Sequence, residues 1–295
     1  MAYIGNNPKW NTGTFTPQSA DPSNPVEGMQ FYSDGTSRSE GLWVYRDGAW
    51  AASTNALIDI TVKTTTYTAT TADETISADT SGGAWTLTLY TAVGNNGRTI
   101  EIKKTTSDTN ILTIDANSTE TIDGELTLKM GSQYDSVTLR SNGTNWLIIN
   151  NNILVAASYT SNAGTSTVGS GTTTVLTYED KELDTHNAYS SGVYTVPIKG
   201  LYSVNFGLEF QGSTFWDSGE EINAIIRVNS TEVRQRRDIF RATPAGSYKA
   251  SASISTTMYL NQDDTVEFAA SQTSGATLTL QGTTVLNFLD ICKIK

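Results

Sequence analysis

Thr185 to Phe210, THNAYSSGVYTVPIKGLYSVNFGLEF, joins a tyrosine-rich turn to a long alternating segment, and its reading decides the fold. Tyr194, Val196 and Ile198 alternate with Thr195, Pro197 and Lys199. After Gly200, the residues Tyr202, Val204, Phe206, Leu208 and Phe210 fall on or near one face. A two-residue period puts successive side chains on opposite sides of an extended chain, so the segment predicts strands with one buried face. No stretch sustains the 3.6-residue period of a helix, and the fold is therefore expected to be all-β. The chain has 295 residues, of which 37% are apolar, and Thr, Ser, Asn and Gly dominate the rest. That composition suits several thin β modules better than one large core.

The pattern Asn187, Tyr189, Gly192, Tyr194, Pro197, Gly200, Tyr202 resembles the signature of the globular heads of the C1q and tumour-necrosis-factor superfamily. Leu260 to Phe268, LNQDDTVEF, is similar to that family's turn before a core strand, although Asp263 stands where the family usually has glycine. Val285 to Ile291, VLNFLDI, resembles its apolar closing strand. The resemblance spans roughly residues 172–295 and implies a C1q-like jelly roll that assembles as a homotrimer. Periodicity alone gives only a β-sandwich.

Working outward, residues 175–295 are expected to form this head and residues 156–174, AASYTSNAGTSTVGSGTTT, a linker poor in large apolar side chains. Residues 56–155 carry short, evenly punctuated strand candidates, among them Thr86–Tyr90, Thr99–Lys103, Ile111–Asp115, Ser136–Arg140 and Trp146–Ile149. Turns such as Asn95-Asn96-Gly97 and Asn142-Gly143-Thr144 separate them, predicting a β-sandwich-like shaft module. Its run of TLTL, RTIEIKK, TIDG and GTNWLII resembles a recurring unit of phage fibres. No fixed repeat of 20 to 50 residues is visible, so neither a solenoid nor the long β-helix of depolymerising tailspikes is expected.

Residues 1–55 combine an arm rich in proline (Pro8, Pro17, Pro22, Pro25) with small hairpins around Ser33-Asp34-Gly35 and Arg46-Asp47-Gly48. Phe31, Tyr32, Trp43, Tyr45 and Trp50 are expected to form the core of that module rather than a sugar platform. The opening, Tyr3, Ile4, Gly5 with Pro8 and Trp10 following, resembles the start of tailed-bacteriophage fibre proteins, which implies that this end attaches to the virion.

The net charge of -11 disfavours nucleic-acid binding, which needs basic surface to release phosphate counterions. The sequence shows neither an 18-residue apolar run nor a signal-peptide pattern, so no membrane insertion and synthesis in the host cytoplasm are expected. The single cysteine, Cys292, excludes an intramolecular disulfide and is expected to be a small core hydrophobe.

Catalysis finds little support. His186 is the only histidine, with no nucleophile assigned to it by a local motif, and its place in DTHNAY suits a turn. One histidine and one cysteine make a zinc site improbable, and no metal or cofactor is expected. GSGTTT lacks the lysine of a phosphate loop. Glu220-Glu221 and Asp263-Asp264 are acidic doublets, but adjacent strand residues face opposite ways and the second reads as a turn. Recognition is better served. Phe215, Trp216 and Asp217 suit stacking on sugar rings while bonding their hydroxyls, unless the aromatics plug the sandwich or a trimer interface. Arg234, Arg236 and Arg237, with Arg241 nearby, suit anionic glycan or phosphate, unless they pair with a neighbouring subunit or line a solvated strand. Tyr248 is placed on the same rim. The resemblances together imply a non-enzymatic tail fibre with partners at both ends: other virion proteins and a host-surface glycan or protein. A capsid-decorating fibre is the alternative, and a polysaccharide-degrading spike is less favoured.

Overall fold

The computed structural model describes residues 18–38, 41–46, 48–52, 60–212, 216–241 and 248–295. The chain divides into two compact units, Met1–Asp59 and Ile60–Lys295. In the first, Gln30–Ser33 (β1), Gly41–Arg46 (β2) and Ala49–Ala52 (β3) form an antiparallel sheet in the order β1-β2-β3. Phe31 is buried and meets Trp50 edge-on at 4.6 Å between ring centroids, and Trp50 meets Tyr45 at 5.3 Å. Aromatic packing thus gives this small sheet its core. The attachment candidates Tyr3, Ile4, Pro8 and Trp10 lie outside the described residues.

The second unit opens with a module over residues 60–152. Ile60–Lys63 (β4), Tyr67–Thr68 (β5), Thr75–Ala78 (β6), Trp85–Thr88 (β7), Thr99–Lys104 (β8) and Leu112–Asp115 (β9) alternate between two sheets. β4, β6 and β8 run parallel in one sheet, and β5, β7 and β9 run parallel in the other. The chain therefore winds as a short coil whose turns stack on one another. Thr127–Met130 (β10) then adds antiparallel to β9, Ser136–Ser141 (β11) to β8, and Trp146–Asn152 (β12) to β11. The resulting sheets, β10-β9-β7-β5 and β12-β11-β8-β6-β4, enclose Ile76, Leu87, Ile102, Ile114, Leu139 and Trp146.

Two facing sheets agree with a sandwich-like module, but the exclusion of solenoid winding does not hold. The register explains why no repeat is visible: Ile60 lies beside Thr75, whereas Thr75 lies beside Glu101, so successive turns differ in length. Lys104 is wholly enclosed in this module. Its ammonium donates to the carbonyls of Thr106 (2.8 Å) and Asp108 (3.0 Å), which offsets the cost of burying the charge.

The remaining strands build the head: Ala156–Thr160 (β13), Thr167–Val168 (β14), Thr174–Val175 (β15), Asp180–Asp184 (β16), Tyr189–Ser190 (β17), Val193–Thr195 (β18), Gly200–Glu209 (β19), Glu221–Val228 (β20), Thr231–Ile239 (β21), Ser251–Leu260 (β22), Thr265–Gln272 (β23), Leu278–Thr279 (β24) and Phe288–Lys293 (β25). One sheet has the order β16-β13-β25-β19-β22. The other has β17-β18-β23-β20-β21, with β15 also on β23, and β14 pairs with β24. Every pairing between these strands is antiparallel, an isolated bridge from Ser170 to Gln272 being parallel, and the chain crosses repeatedly from sheet to sheet, from β18 to β19 to β20 and from β21 to β22 to β23. This is a jelly roll. Tyr202, Val204, Phe206 and Leu208 of β19 all point into the core, as their alternation predicts, and Phe206 meets Phe268 edge-on at 5.5 Å.

Two expectations are corrected here. Residues 156–174 are not a linker: β13 is an interior strand paired with both β16 and β25, and Tyr159 and Val168 belong to the core. The head thus starts at residue 156, not 175. Few large side chains are needed because Tyr159 supplies ring area and its hydroxyl donates to Asp184 Oδ2 at 3.1 Å. Cys292 is not a core residue either. In β25 the buried positions are Leu289 and Ile291, so Cys292 falls on the opposite, half-exposed face.

Candidate functional site

Two regions of the second unit gather the side chains that bear on function: the outer edge of the head, and the seam between head and coiled module.

The edge begins with the β20–β21 hairpin. Ile222, Ala224 and Ile226 anchor β20 in the core, while the tight turn uses Asn229 and Ser230 at φ of 50° and 63°. A two-residue hairpin turn with both φ positive suits asparagine, whose short polar side chain tolerates that conformation. β21 is the last strand of its sheet and nearly all of its side chains are exposed. Arg234 and Arg236 lie opposite Ile226 and Ala224 and share a face, whereas Arg237 lies opposite Asn223 on the other face. The cluster that looks single in sequence is thus divided between two sides of one strand. Arg236 pairs with Asp238 at 3.1 Å and Arg237 with Glu221 at 3.3 Å. Such exposed pairs hold their partners weakly, so the guanidinium groups can exchange them for a ligand.

At the end of β21 the chain enters an aromatic stack. Trp216 stacks on Phe240 at 4.5 Å with an interplanar angle of 25°, and Phe240 meets Tyr248 edge-on at 5.4 Å. Trp216 is only 1% exposed, so of the two readings of this loop the structure takes the one in which the aromatic plugs the sandwich, and the indole N–H has no acceptor among the described residues. Burial of its large apolar surface in the sandwich outweighs the advantage of solvating one N–H. Tyr248 is 48% exposed and forms the outer member of the stack. Asp217 is exposed, and its backbone N–H donates to Glu220 Oε2 at 2.6 Å. Phe215 lies outside the described residues. Phe240, which joins the strand to the stack, was missed at the sequence level, though its place at the end of RQRRDIF put it beside the arginines.

The seam brings residues far apart in sequence together. Lys199 Nζ lies 2.9 Å from Glu125 Oε1 and donates to the Asp123 carbonyl at 2.5 Å. Gln262 donates to Thr127 Oγ1 at 3.1 Å, Asn187 to the Thr109 carbonyl at 2.9 Å, and the Leu154 amide to Asp135 Oδ1 at 3.1 Å. Asp263 lies 3.8 Å from Lys129 Nζ, while Asp264 accepts the Asn261 amide at 2.7 Å, so the second acidic doublet is a turn with one member facing the seam. Ile153 and Ile198 pack against the cores on both sides.

His186 is also here. Its Nε2 is 3.3 Å from the Lys129 carbonyl and its Nδ1 is 2.8 Å from Thr185 Oγ1. With Nε2 protonated, the ring donates to the carbonyl and accepts the threonine hydroxyl, which satisfies both nitrogens in the neutral form. Burial holds its pKa below the ordinary histidine value, against the opposing pull of the Lys129 hydrogen bond and the nearby Asp135 and Asp184. Gly131 allows the approach: a Cβ there would sit 1.7 Å from the Thr185 carbonyl oxygen. Nothing in the sequence around Gly131 marked that contact. Among the described residues, no group of three or more His, Cys, Asp or Glu is arranged to hold a metal ion.

No family model matches this sequence, and no curated protein matches it. Solved structures with a similar fold include the Eiger TNF of S. frugiperda (14% identity, TM-score 0.38, covering 48% of this chain and 93% of that one). The globular domain of zebrafish complement 1qA (16%, 0.33, 48% and 98%) and murine APRIL (13%, 0.35, 48% and 99%) are others. At these scores the jelly-roll assignment rests on the strand order and register of the head itself.

Proposed function

We propose that this chain is a non-enzymatic structural fibre protein of a tailed phage, acting as a homotrimer that is held to other virion proteins by its N-terminal segment and presents its head to the host surface. The observation that carries this reading is the seam, which fixes the head on a β-coiled stem through long-range hydrogen bonds, ion pairs and shared apolar packing. A protein that must present a binding surface at a set orientation needs such a joint. The outer strand supplies the surface. Arg234, Arg236 and Arg237 offer planar, multiply donating cations for carboxylated or sulfated sugars, and Tyr248 and Asp217 add a ring face and a hydroxyl acceptor beyond the end of that strand. Each contact is shallow, and three copies at fixed spacing raise overall affinity through effective concentration. No covalent step is involved.

The test is immunogold electron microscopy of intact particles with an antibody against residues 175–295. Label at the tail periphery is the expected result, and adsorption should then be inhibited by the soluble chain and less so by its Arg236→Ala variant. Label spread over the capsid would replace this reading with that of a decorating fibre. A sole species at the subunit mass of 31.8 kDa in solution would overturn the trimer.

A further inference from the structure

The seam encloses a cleft of about 150 Å³ whose residues have not all found partners. Its walls include the half-buried aliphatic side chains of Ile148 and Ile153 from the module side and Ile198 from the head. A closed apolar cavity of that volume holds a body about the size of benzene; here the three isoleucines form one apolar wall of an open cleft whose lining also includes Asp123, Glu125, Thr127 and Asn151. Four charged residues line the cleft: Asp123, Glu125, Lys199 and Lys293. Glu125 is paired with Lys199, and Asp123 Oδ1 accepts the Ile148 amide at 3.1 Å. Lys293, half-buried at the end of β25, is different: among the described residues it has no ion pair and no side-chain hydrogen bond. Its aliphatic stem passes over Gly200, where a Cβ would sit 2.5 Å from Lys293 Cε and 2.2 Å from the Lys295 carbonyl oxygen, so the bare glycine leaves room for the closing backbone and for the lysine beside it. Burial lowers the pKa of Lys293, as expected for an ammonium that has lost water and gained no counter-ion.

We propose that this cleft is a binding site for a small organic carboxylate with a compact apolar body, the carboxylate pairing with Lys293 and the body lying against Ile148, Ile153 and Ile198. Gln262, on the same lining, donates one amide N–H to Thr127 Oγ1 and keeps a second that can orient the carboxylate. A ligand there touches both sides of the seam and therefore binds the joined arrangement in preference to a separated one.

The experiment is isoleucine-methyl NMR on the full chain, titrated with benzoate, with the isosteric neutral benzamide and with glucuronate, which carries its carboxylate on a hydroxylated ring. Benzoate is expected to shift the methyls of Ile148, Ile153 and Ile198 saturably, and benzamide to bind about tenfold more weakly or worse, the usual loss when a charge-assisted hydrogen bond is removed. Glucuronate is expected to leave these methyls unmoved. Lys293→Met should weaken benzoate by a similar factor and Lys293→Arg should retain it, which separates loss of charge from loss of fold. Absence of saturable shifts at the three isoleucines overturns the site. So does equal affinity for benzamide, or undiminished binding by a folded Lys293→Met chain. Glucuronate binding as well as benzoate would overturn the apolar part of the assignment.

Discussion

The seam and the outer strand β21 are both lined with charged and polar side chains, yet their contacts are made on different scales. Across the seam, Gln262 reaches Thr127, His186 reaches Lys129 and Lys199 reaches Glu125, each bringing together segments of two separate cores. On β21, Arg236 pairs with Asp238 two positions along the same strand, and Arg237 pairs with Glu221 within the same hairpin. Contacts of the first kind exist only when both modules are folded and joined, so they report on the joint. Contacts of the second kind are local, exposed and easily exchanged, which suits a surface that must release its own partners to take another. Similar residue types are thus put to structural use in one place and left available in the other.

The contrast can be tested from its strongest element downward. Trp216, under the end of the outer strand, should behave as core: Trp216→Ala is expected to cost about 3 to 5 kcal/mol in urea unfolding. A loss below about 1 kcal/mol, within the range of ordinary surface changes, would return the indole to the surface. Next is Gly131→Ala, which forces a methyl into the Thr185 carbonyl; about 3 kcal/mol or more is expected. Separate unfolding transitions for module and head in that variant, against one in the parent, would sharpen the case for the seam as the source of cooperativity.

The third test is pH. Because the folded-state pKa of His186 is lowered, the unfolded chain binds its proton more readily, so stability is highest above the ordinary histidine value of about 6.5 and falls as pH drops below it. Denaturant midpoints should show that slope, and His186→Gln should flatten it; an unchanged slope would remove the histidine from the account. Lys199→Ala deletes one half-exposed ion pair and one hydrogen bond, and about 1 kcal/mol is expected. Smallest is the double change Arg234→Ser and Arg236→Ser, expected to move stability by no more than about 0.5 kcal/mol while weakening host adsorption. A large stability loss there would mean that β21 is structural after all.

How legible these regions were in the sequence follows from the same physics. β19 was readable because one of its faces is core and the other is not, so Tyr202, Val204, Phe206 and Leu208 alternate with less buried neighbours. β6, Thr75–Ala78, passed unnoticed: its inward residues are Ile76 and Ala78, and its outward ones are Thr75 and Ser77, a contrast too slight over four residues to announce a strand. The coil to which it belongs is set by register between segments of unequal spacing, and no local window contains that information. β13 was hidden by the opposite effect, since Ala157 and Tyr159 occupy core positions in a stretch whose composition is otherwise that of a linker. For the candidate site, the arginines of β21 and Tyr248 were identified from residue type alone, but which of them share a face came only with the pairing to β20. Trp216 illustrates the limit. An aromatic beside an aspartate in a polar loop reads either as a sugar platform or as a plug, and only the position of Phe240 decides for the plug.

The passage from stem to head has a mechanical consequence. β12 ends at Asn152 and β13 begins at Ala156, so the covalent connection is a few residues long and its flanks are tied into sheets on both sides. Such a connection has almost no slack. A load applied to the stem is shared between the backbone and the lateral contacts at Lys199, Gln262 and Asn187, so a pull or twist reaches the head as torque rather than being absorbed in a swivel.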